Sequence, residues 1–583
     1  MPQNSKLWWQ SAIGYQIWPA SFKDSNSDGV GDINGVLSKL DYLQLLGVDL
    51  IWFSPVYDSP LRDMGYDVSN YESIHAQFGT LADMDNLIRE AKKRDIKIIM
   101  DLVANHTSDK HHWFLESCKS RSGRYSDWYI WRDPKYDSEG NRQPPNNWRT
   151  GSRYGKSTWK YVAERDQYYF CFGTSYQPNL NWFCEELRRA VYESAVKFWL
   201  DRGVDGFRMD LVGLYWKDPS FPDAKEEYPG EKLQPLDGTR CLNGEEVHFW
   251  LREMKERIVH DFGNEVVLIG ELPMTDRKTF LRYISPDSKE LEMALDTDIF
   301  ITGNDWKDGL YELKRPELPL LKDAVQKTQS LLDDGGWPTV FLENHDFARS
   351  VCRFGPGEGV YREAAARMMA LLAATLSGTL FIYQGEEIGM TNVPSYWARD
   401  DFQDNADLEH IEDIDATKDP AAVEKSVTAL ATWGRDNGRT PVQWSNEMYA
   451  GFSDVKPWIR VIDNYTDINV AEQLGKPDSV LSFWIRMMKV RREMSQVLMR
   501  GSFRLLDRDN LSVFSYLKTS TDGETVMLLM FNFSSEEVQV PNGIGTDPME
   551  LVCTTAGAST NSSLGEGHLQ PWEGRMYQLT AKS

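Results

Sequence analysis

The sequence lacks the features that would place a chain in an oxidising compartment or a membrane. Its six cysteines are scattered, with no Cys-x-x-Cys pair and no Cys/His cluster at metal-ligand spacing. No window reaches the length of unbroken apolar sequence that a membrane span needs. The amino terminus also lacks the basic start and apolar run of a signal peptide. We therefore expect a cytoplasmic protein with no membrane anchor.

The chain contains fewer basic than acidic residues. The chain has 88 acidic against 64 basic residues and a formal net charge of -24. Such a chain is repelled by phosphate backbones and anionic membrane surfaces, so we expect no nucleic-acid and no membrane partner. Aromatic residues, in contrast, make up 12% of the chain and include 21 Trp. They suit a site that stacks sugar faces against rings, or a core rich in aromatics, and composition alone does not decide between the two.

The order of apolar runs predicts a parallel sheet covered by helices. The 583 residues, 41% of them hydrophobic, allow a large core and more than one domain. Short apolar runs alternate with amphipathic helical patterns such as 80–94, the rhythm of repeated β-α units. Eight such runs predict a (β/α)8 barrel. They lie at 13–18, 50–53, 96–102, 206–210, 266–271, 293–299, 339–343 and 379–383.

Two segments interrupt this rhythm and divide the chain. Residues 107–181 are rich in Trp, Tyr, Arg, Asn, Gly and Pro and have little helical period, so we predict an inserted lobe after the third strand. Residues 502–583 carry strand-like alternation between turns, which predicts a small antiparallel β-sandwich. The barrel is then formed by 1–106 and 182–501. Within it, the polar and acidic stretch 391–419 is predicted to be a loop after the eighth strand.

Charged and polar residues gather at the carboxyl ends of four predicted strands, the ends that face the active-site mouth of such a barrel. The third strand runs into DLVANHTS, the fourth ends in GFRMD, the fifth in IGE, and the seventh runs into LENHD. A single ionisable group at a strand end is usually solvated or paired. Four such ends on one face indicate a site that uses the pKa shifts its carboxylates impose on each other.

These four segments, in this order, resemble the signature regions of the α-amylase superfamily of glycoside hydrolases, family 13. The tracts WWQSAIGYQIWPASFKDSNSDGVGDINGV, RDMGYDVSNY, YQGEEIGMTN and GRDNGRTPVQW look like its α-glucosidase and oligo-1,6-glucosidase branch. The resemblance covers nearly the whole chain and implies the same barrel, inserted lobe and β-sandwich tail. It further implies a retaining, exo-acting α-glucosidase that hydrolyses terminal α-glucosyl residues of short oligosaccharides or disaccharides, with transglucosylation as a side reaction.

The resemblance assigns three carboxylates to catalysis. Asp210 corresponds to the nucleophile, and Arg208, two positions earlier, is expected to keep it ionised with a low pKa. Glu271 corresponds to the acid/base, and its pKa should be raised by neighbouring carboxylates. Asp346 corresponds to the third carboxylate, which binds sugar hydroxyls and supports the transition state. A retaining double displacement places the two reacting carboxyl groups about 5 to 5.5 Å apart.

The resemblance also implies which residues bind the sugar. They are Asp63, Tyr66, His106, Phe172, His345 and Arg435. The two histidines are expected to hydrogen-bond the same sugar ring. Asp63, Tyr66 and Arg435 match positions that close the pocket around the non-reducing end, which implies exo action. Phe172 matches a ring near the same sugar, although the spacing after it is one residue longer than the pattern.

The acceptor side departs from the pattern. The residue after the nucleophile is Leu211, where Val accompanies α-1,6 preference and Thr or Ala accompanies α-1,4 preference in this branch. Leu offers no hydrogen bond, like Val, but its extra methylene narrows the acceptor site, so both preferences stay open. Asn179 stands where Asp is usual and Phe183 where Glu is common, both at the edge of the inserted lobe.

Two alternative functions follow from other features. Apolar residues near the acceptor side, Leu211, Val212 and Met274, favour an α-glucosyltransferase or a sucrose or maltose isomerase of the same fold, because they exclude water. A catalytically dead relative that serves as a transporter subunit is a third reading. It requires a membrane anchor and lost carboxylates, whereas this chain shows no such anchor and retains all three catalytic carboxylates.

A second constellation of oxygen-bearing residues lies near the amino terminus. Its members are Asp24, Asn26, Asp28, Val30 and Asp32. Oxygen ligands at alternate positions of a Gly-containing loop suit a hard cation, although Gly35 stands where an EF-hand requires Glu. An Asx-rich turn accounts for the same pattern without a metal. The resemblance favours a structural Ca²⁺, with Mg²⁺ as the alternative, and it implies no catalytic metal and no organic cofactor.

Overall fold

Eight parallel strands pair in chain order around a barrel. The computed structural model describes residues 7–150, 155–236, 238–302, 314–415, 420–540, 549–556 and 567–579. The strands are β1 (Ile13–Ile17), β2 (Leu50–Phe53), β3 (Lys97–Leu102), β4 (Gly206–Met209), β5 (Val267–Glu271), β6 (Met293–Leu295), β7 (Thr339–Val340) and β8 (Thr379–Tyr383). β8 pairs with β1, and a bridge between Ala294 and Pro338 joins β6 to the start of β7. The predicted (β/α)8 barrel is confirmed.

Two predicted strands are shorter in the structure than their apolar runs. β6 ends at Leu295, and the helix Asp298–Ile301 follows, because the side chain of Asp296 accepts the backbone N–H of Asp298 and turns the chain. β7 ends at Val340. The next residues of its run are still buried, but they leave the sheet as they approach the mouth of the barrel.

Helices surround the barrel and follow its strands. The longer ones are Ile33–Leu37, Leu40–Leu46, Leu81–Lys92, Glu185–Val191, Glu245–Phe262, Arg277–Ile284, Leu318–Gln329, Arg362–Thr375, Asn405–Asp415, Pro420–Trp433 and Val480–Glu493. The helix Leu81–Lys92 begins at a capping box between Thr80 and Asp83. Its buried side chains recur at the helical spacing, so they lie on one face of the helix, which packs toward the barrel. They are Met84, Leu87, Ile88 and Ala91. Within the described ranges, every helix is too short or too polar to cross a lipid bilayer.

The stretch 391–419, predicted to be a loop, contains the helix Asn405–Asp415. That part of the prediction is wrong because the acidic composition concealed a helix that begins directly after Asp404. The Asp404 carboxylate accepts the backbone N–H of Asp407 in the first turn of that helix. Residues 416–419 lie outside the described residues.

The lobe after β3 is built from short strands and packs against the loop after β4. Its sheet contains Trp131–Arg132, Trp159–Val162 and Gln167–Phe170, and its helix is His112–Lys119. A further strand, Trp148–Arg149, pairs with Gln234–Pro235 from the loop after β4. Buried aromatic residues from the lobe and this loop share one cluster, which fixes the lobe above the barrel mouth.

The carboxyl-terminal part forms an antiparallel sheet. Its strands are Ser502–Leu506, Val513–Thr519, Val526–Asn532, Gly574–Leu579 and Met549–Thr554, in spatial order. Arg491, fully buried on the last barrel helix, donates to the carbonyls of Ala374, Leu376 and Gly378 at 2.6–2.7 Å. Each buried carbonyl left without a donor costs about 1–3 kcal/mol, so this arginine stabilises the base of the barrel. The domain boundaries given above stay predictions.

Candidate active site

The side chain of Arg208 joins carboxylates from three adjacent strands. Its Nη1 lies 2.5 Å from Asp101 Oδ1 and 2.8 Å from Asp210 Oδ1, and its Nη2 lies 2.6 Å from Glu271 Oε2. In the sheet register, Arg208 stands between Asp101 on β3 and Ile269 on β5. All four charged residues are less than a tenth exposed. The strand pairing therefore brings the predicted nucleophile and acid/base onto one guanidinium.

Three buried carboxylates around one cation favour retention of a proton. Burial raises the pKa of Asp210 well above its usual value, and Glu271 and Asp101 add to this against the opposing charge of Arg208. Burial likewise raises the pKa of Glu271, with Asp346 and Asp101 contributing. The expectation that Arg208 gives Asp210 a low pKa is contradicted, because one guanidinium cannot balance three carboxylates. The raised pKa of Glu271 agrees with expectation.

The predicted sugar-binding residue His345 lies in an aromatic stack. Its ring is nearly parallel to those of Trp18, at 5.1 Å, and Tyr66, at 5.3 Å between centroids, and the centroids of Trp18 and Tyr66 are themselves 6.4 Å apart. Its Nε2 lies 2.8 Å from Tyr66 Oη and 3.2 Å from Asp346 Oδ2. Burial lowers the pKa of His345 to about 3, so the ring is neutral at physiological pH.

His106 contacts the backbone of Tyr66. Its Nε2 is 2.9 Å from the Tyr66 carbonyl, and its Nδ1 is 3.2 Å from the side-chain amide of Asn105. Burial lowers the pKa of His106 to about 4, so this ring is also neutral. Both histidines therefore contact Tyr66, and their binding of one sugar ring stays a prediction.

Two arginines close the side of the site opposite Glu271. Arg435 Nη2 lies 3.4 Å from Asp63 Oδ1, and its Nη1 lies 3.6 Å from Asp346 Oδ1. Arg439 Nη2 lies 3.2 Å from the same oxygen of Asp346. Burial opposes ionisation of Asp346, but His345 and the two guanidinium groups hold its pKa well below the usual value. Asp346 is therefore ionised, and Asp63 and Arg435 form an ion pair, whereas their closing of the pocket stays a prediction.

Three residues of this region were missed in the sequence. Asp404 Oδ2 lies 2.7 Å from Arg435 Nη2 and 2.7 Å from Arg439 Nη1, so it holds both arginines. Gln177 donates to Asp63 Oδ2 at 2.8 Å. Arg439 is part of the tract GRDNGRTPVQW and could have been found there. Asp404 and Gln177 carry no local signal, since their partners come from distant parts of the chain.

Leu211 and Phe172 contribute to an apolar wall beside the carboxylates. Both pack against the aromatic cluster that joins the lobe to the loop after β4. Leu211 has a left-handed backbone, with φ at 43°, and its N–H donates to Glu271 Oε2 at 3.2 Å. Leu211 therefore contacts the acid/base through its backbone and the apolar wall through its side chain.

The two departures at the edge of the lobe have different explanations. Asn179 is buried, accepts the Phe172 N–H at 2.6 Å and donates to the Asn105 carbonyl at 3.1 Å. An ionised Asp at this position could not donate the second bond, so the amide fits its surroundings. Phe183 is 43% exposed and packs edge-on against Trp250, away from the carboxylates.

The loop predicted to hold a cation forms successive Asx turns. The bonds run from Asn26 N to Asp24 Oδ1 at 3.0 Å, from Asp28 N to Asn26 Oδ1 at 3.0 Å, and from Val30 N to Asp28 Oδ1 at 2.8 Å. Asp32 accepts the Gly35 N–H and caps the helix Ile33–Leu37. In the described part of the chain, no group of three or more His, Cys, Asp or Glu residues is arranged to hold a metal ion. The all-oxygen donor set still fits a hard cation, which stays a prediction.

Comparisons with known proteins agree with this geometry. Residues 16–501 match the family model of the alpha-amylase catalytic domain. The chain is 42% identical to an α-glucosidase of Candida albicans, over 98% of this chain and 99% of that protein. It is 38% identical to an oligo-1,6-glucosidase of Bacillus cereus, over 98% and 100%. A variant of isomaltulose synthase from Erwinia rhapontici NX5, solved with its natural substrate sucrose, superposes with a TM-score of 0.89 at 34% identity, over 99% and 100%. The matches confirm the resemblance of the motifs.

Substitution of Asp404 by Asn should weaken substrate binding more than turnover. Loss of this carboxylate leaves Asp346 as the shared counter-charge of Arg435 and Arg439 and removes their shorter contacts, which frees both to reorient. We expect KM for the sugar substrate to rise about tenfold or more, with a smaller fall in kcat. Steady-state kinetics measures both. Asp401→Asn is the matched control, because its carboxylate contacts Arg460, at 3.5 Å. An unchanged KM in Asp404→Asn would contradict the assignment.

Proposed function

The chain belongs to the alpha-amylase family of glycoside hydrolases, and we propose that it is a retaining, exo-acting α-glucosidase. It removes terminal non-reducing α-glucosyl residues from short oligosaccharides or disaccharides, with transglucosylation as a side reaction. The observation that carries this proposal is the pair Asp210 and Glu271 on one guanidinium, together with the ion pair between Asp63 and Arg435.

The reaction proceeds in two displacements at the anomeric carbon. Asp210 attacks this carbon while Glu271 gives its proton to the departing glycosidic oxygen, and a covalent glucosyl-enzyme forms. Glu271 then takes a proton from water, and the water oxygen displaces Asp210. Because each displacement inverts the carbon, the product retains the α configuration. The raised pKa values of both carboxyl groups favour one proton on the pair, and the proposal places that proton on Glu271.

Asp346 stabilises the positive charge that develops on the sugar. Its carboxylate is ionised and held by His345, Arg435 and Arg439, so it is oriented before substrate arrives. Substrate and water supply the remaining atoms of the reaction. The proposal therefore includes no organic cofactor and no catalytic metal.

Exo action follows from the ion pairs on the donor side. Asp63 is held by Arg435 and by Gln177, so the pocket ends at the non-reducing sugar. A longer chain cannot continue past this point without separating Asp63 from Arg435. The pocket accordingly accepts one glucosyl unit.

The acceptor side supports a second candidate function. Leu211 packs there against the apolar cluster that joins the lobe to the loop after β4, which disfavours water and favours transfer to a sugar or another alcohol. The likeness to isomaltulose synthase also favours an α-glucosyltransferase or a sucrose or maltose isomerase as the alternative. Hydrolysis remains the main proposal, because the curated relatives are named as glucosidases.

We also propose a structural Ca²⁺, or Mg²⁺, in the loop from Asp24 to Asp32. The side chains of Asp24, Asn26, Asp28 and Asp32 and the carbonyl of Val30 would hold it. A cytoplasmic location is proposed as well. It is supported by the six cysteines, which all lie in described residues and form no disulfide.

Product analysis by NMR tests the activity. Incubation with maltose, isomaltose, sucrose and trehalose should release glucose that is first α and then mutarotates, because two inversions retain the configuration. β-Glucose as the first product would exclude the retaining mechanism. Larger or isomeric sugars that precede free glucose would favour the transferase or isomerase instead.

Substitution of each reacting carboxylate in turn should distinguish the role of the nucleophile from that of the acid/base. Asp210→Ala should remove turnover of every substrate, because no glucosyl-enzyme can form. Glu271→Gln should remove turnover of natural sugars but retain a fast first step with 4-nitrophenyl α-glucoside, whose leaving group needs no proton. Stopped-flow release of nitrophenol measures that step. Near wild-type turnover of maltose by either variant would reject the assignment.

Chelation tests the proposed cation. Removal of Ca²⁺ with EDTA should lower the thermal midpoint, because a cation at 100 times its Kd stabilises the fold by about 2.7 kcal/mol. Added Ca²⁺ should restore the midpoint in the wild type but not in Asp28→Ala. Equal midpoints with EDTA and with Ca²⁺ would refute the site.

A further inference from the structure

Gln16 contacts His345, a residue of the proposed catalytic site, and has no role in the reaction described so far. It lies on β1, is 1% exposed and directs its side chain at the ring of His345. Its Nε2 lies 2.8 Å from His345 Nδ1 and 3.3 Å from Ser54 Oγ. Gln16 is therefore the side chain that meets the nitrogen of His345 turned away from the sugar pocket.

The surroundings of His345 determine which ring nitrogen carries the proton. Nε2 faces the carboxylate of Asp346 at 3.2 Å, and an ionised carboxylate only accepts hydrogen bonds. Nε2 must therefore be protonated. Because the buried ring is neutral, Nδ1 is then unprotonated and needs a donor, which is the amide N–H of Gln16. If the Gln16 amide were rotated by half a turn, its oxygen would face the unprotonated Nδ1. Both atoms are acceptors, so no hydrogen bond would form.

This tautomer sets the direction of the hydrogen bonds that follow. His345 Nε2–H points toward Asp346 and the Tyr66 hydroxyl, which leaves the Tyr66 O–H free to donate to Asp101 Oδ2 at 3.2 Å. Asp101 in turn holds Arg208, which binds Asp210 and the acid/base. The other tautomer would place an acceptor nitrogen against the Asp346 carboxylate and take the Tyr66 proton away from Asp101.

We propose that Gln16 is a positioning residue that fixes the Nε2–H tautomer of His345. Trp18 and Tyr66 hold the plane of the ring, so the placement of its proton is what remains for Gln16 to determine. Through that proton, Gln16 orients Asp346 and completes the donor set of Asp101. The inference rests on the proposed function, since it concerns the same carboxylates.

Gln16→Met tests the proposal, because Met has similar length and volume but cannot donate to Nδ1. We expect kcat to fall about 10- to 100-fold with little change in KM, the usual range when a group that orients an active-site residue is lost. ¹⁵N NMR of the imidazole nitrogens, assigned with His345→Asn, should show a protonated Nε2 in the wild type and a mixture of tautomers in Gln16→Met. A wild-type kcat or an unchanged tautomer would overturn the proposal.

Gln16→Glu provides a second variant with an opposite chemical effect. An ionised Glu only accepts hydrogen bonds, so it should draw the proton onto Nδ1 of His345. We expect the NMR signal of protonated Nδ1 and a loss of kcat at least as large as in Gln16→Met. If Gln16→Met does not fold, this variant carries the same test. An unprotonated Nδ1 of His345 together with wild-type turnover in Gln16→Glu would refute the role of Gln16.

A double-mutant cycle separates positioning from loss of packing. In the His345→Asn background, Gln16→Met should change kcat by less than about twofold, because the group it acts through is already absent. If Gln16→Met lowered kcat by the same factor in the His345→Asn background as in the wild type, the proposal would be rejected. Gln329→Met is the control, since Gln329 is equally buried and bonds Ser377 far from the site. It should lower stability and leave kcat and the His345 tautomer unchanged. The tautomer measurement needs no substrate, so its outcome is distinguishable from failure of the proposed activity.

Discussion

The guanidinium of Arg208 is the contact on which the rest of the site depends. It is buried, and it compensates carboxylates from β3, β4 and β5 that would otherwise repel each other in a medium of low dielectric constant. The parallel pairing of β4 with β3 and β5 places their carboxyl ends at one edge, where they meet one side chain. The barrel and the site are therefore consequences of the same pairing.

Negative charge remains in excess even with the arginines counted. Three guanidinium groups, those of Arg208, Arg435 and Arg439, face six carboxylates. These carboxylates are Asp63, Asp101, Asp210, Glu271, Asp346 and Asp404. Such a site retains a proton in its resting state, which an acid catalyst requires. It also favours a substrate that becomes positively charged, as a glucosyl group does when its glycosidic bond breaks.

Residues adjacent to strand ends could be predicted from the sequence, and residues that act across the fold could not. Asp210, Glu271 and Asp346 follow apolar strands in short motifs, so local pattern and family resemblance identified them. Asp404 lies in an acidic stretch with no distinguishing neighbours, and only the folded chain brings it to Arg435. The pKa of Asp210 failed as a prediction for a related reason. The motif identified Arg208 as a neighbour of Asp210. The number of other carboxylates around Arg208, which raises the pKa of Asp210, depends on tertiary structure.

The backbone at Leu211 links the acceptor side to the acid/base. A left-handed φ is costly for β-branched residues and less so for Leu, so the residue found here lowers the strain of that turn. The same conformation aims the Leu211 N–H at Glu271. A side chain that changed this backbone conformation would therefore also move the N–H that Glu271 accepts.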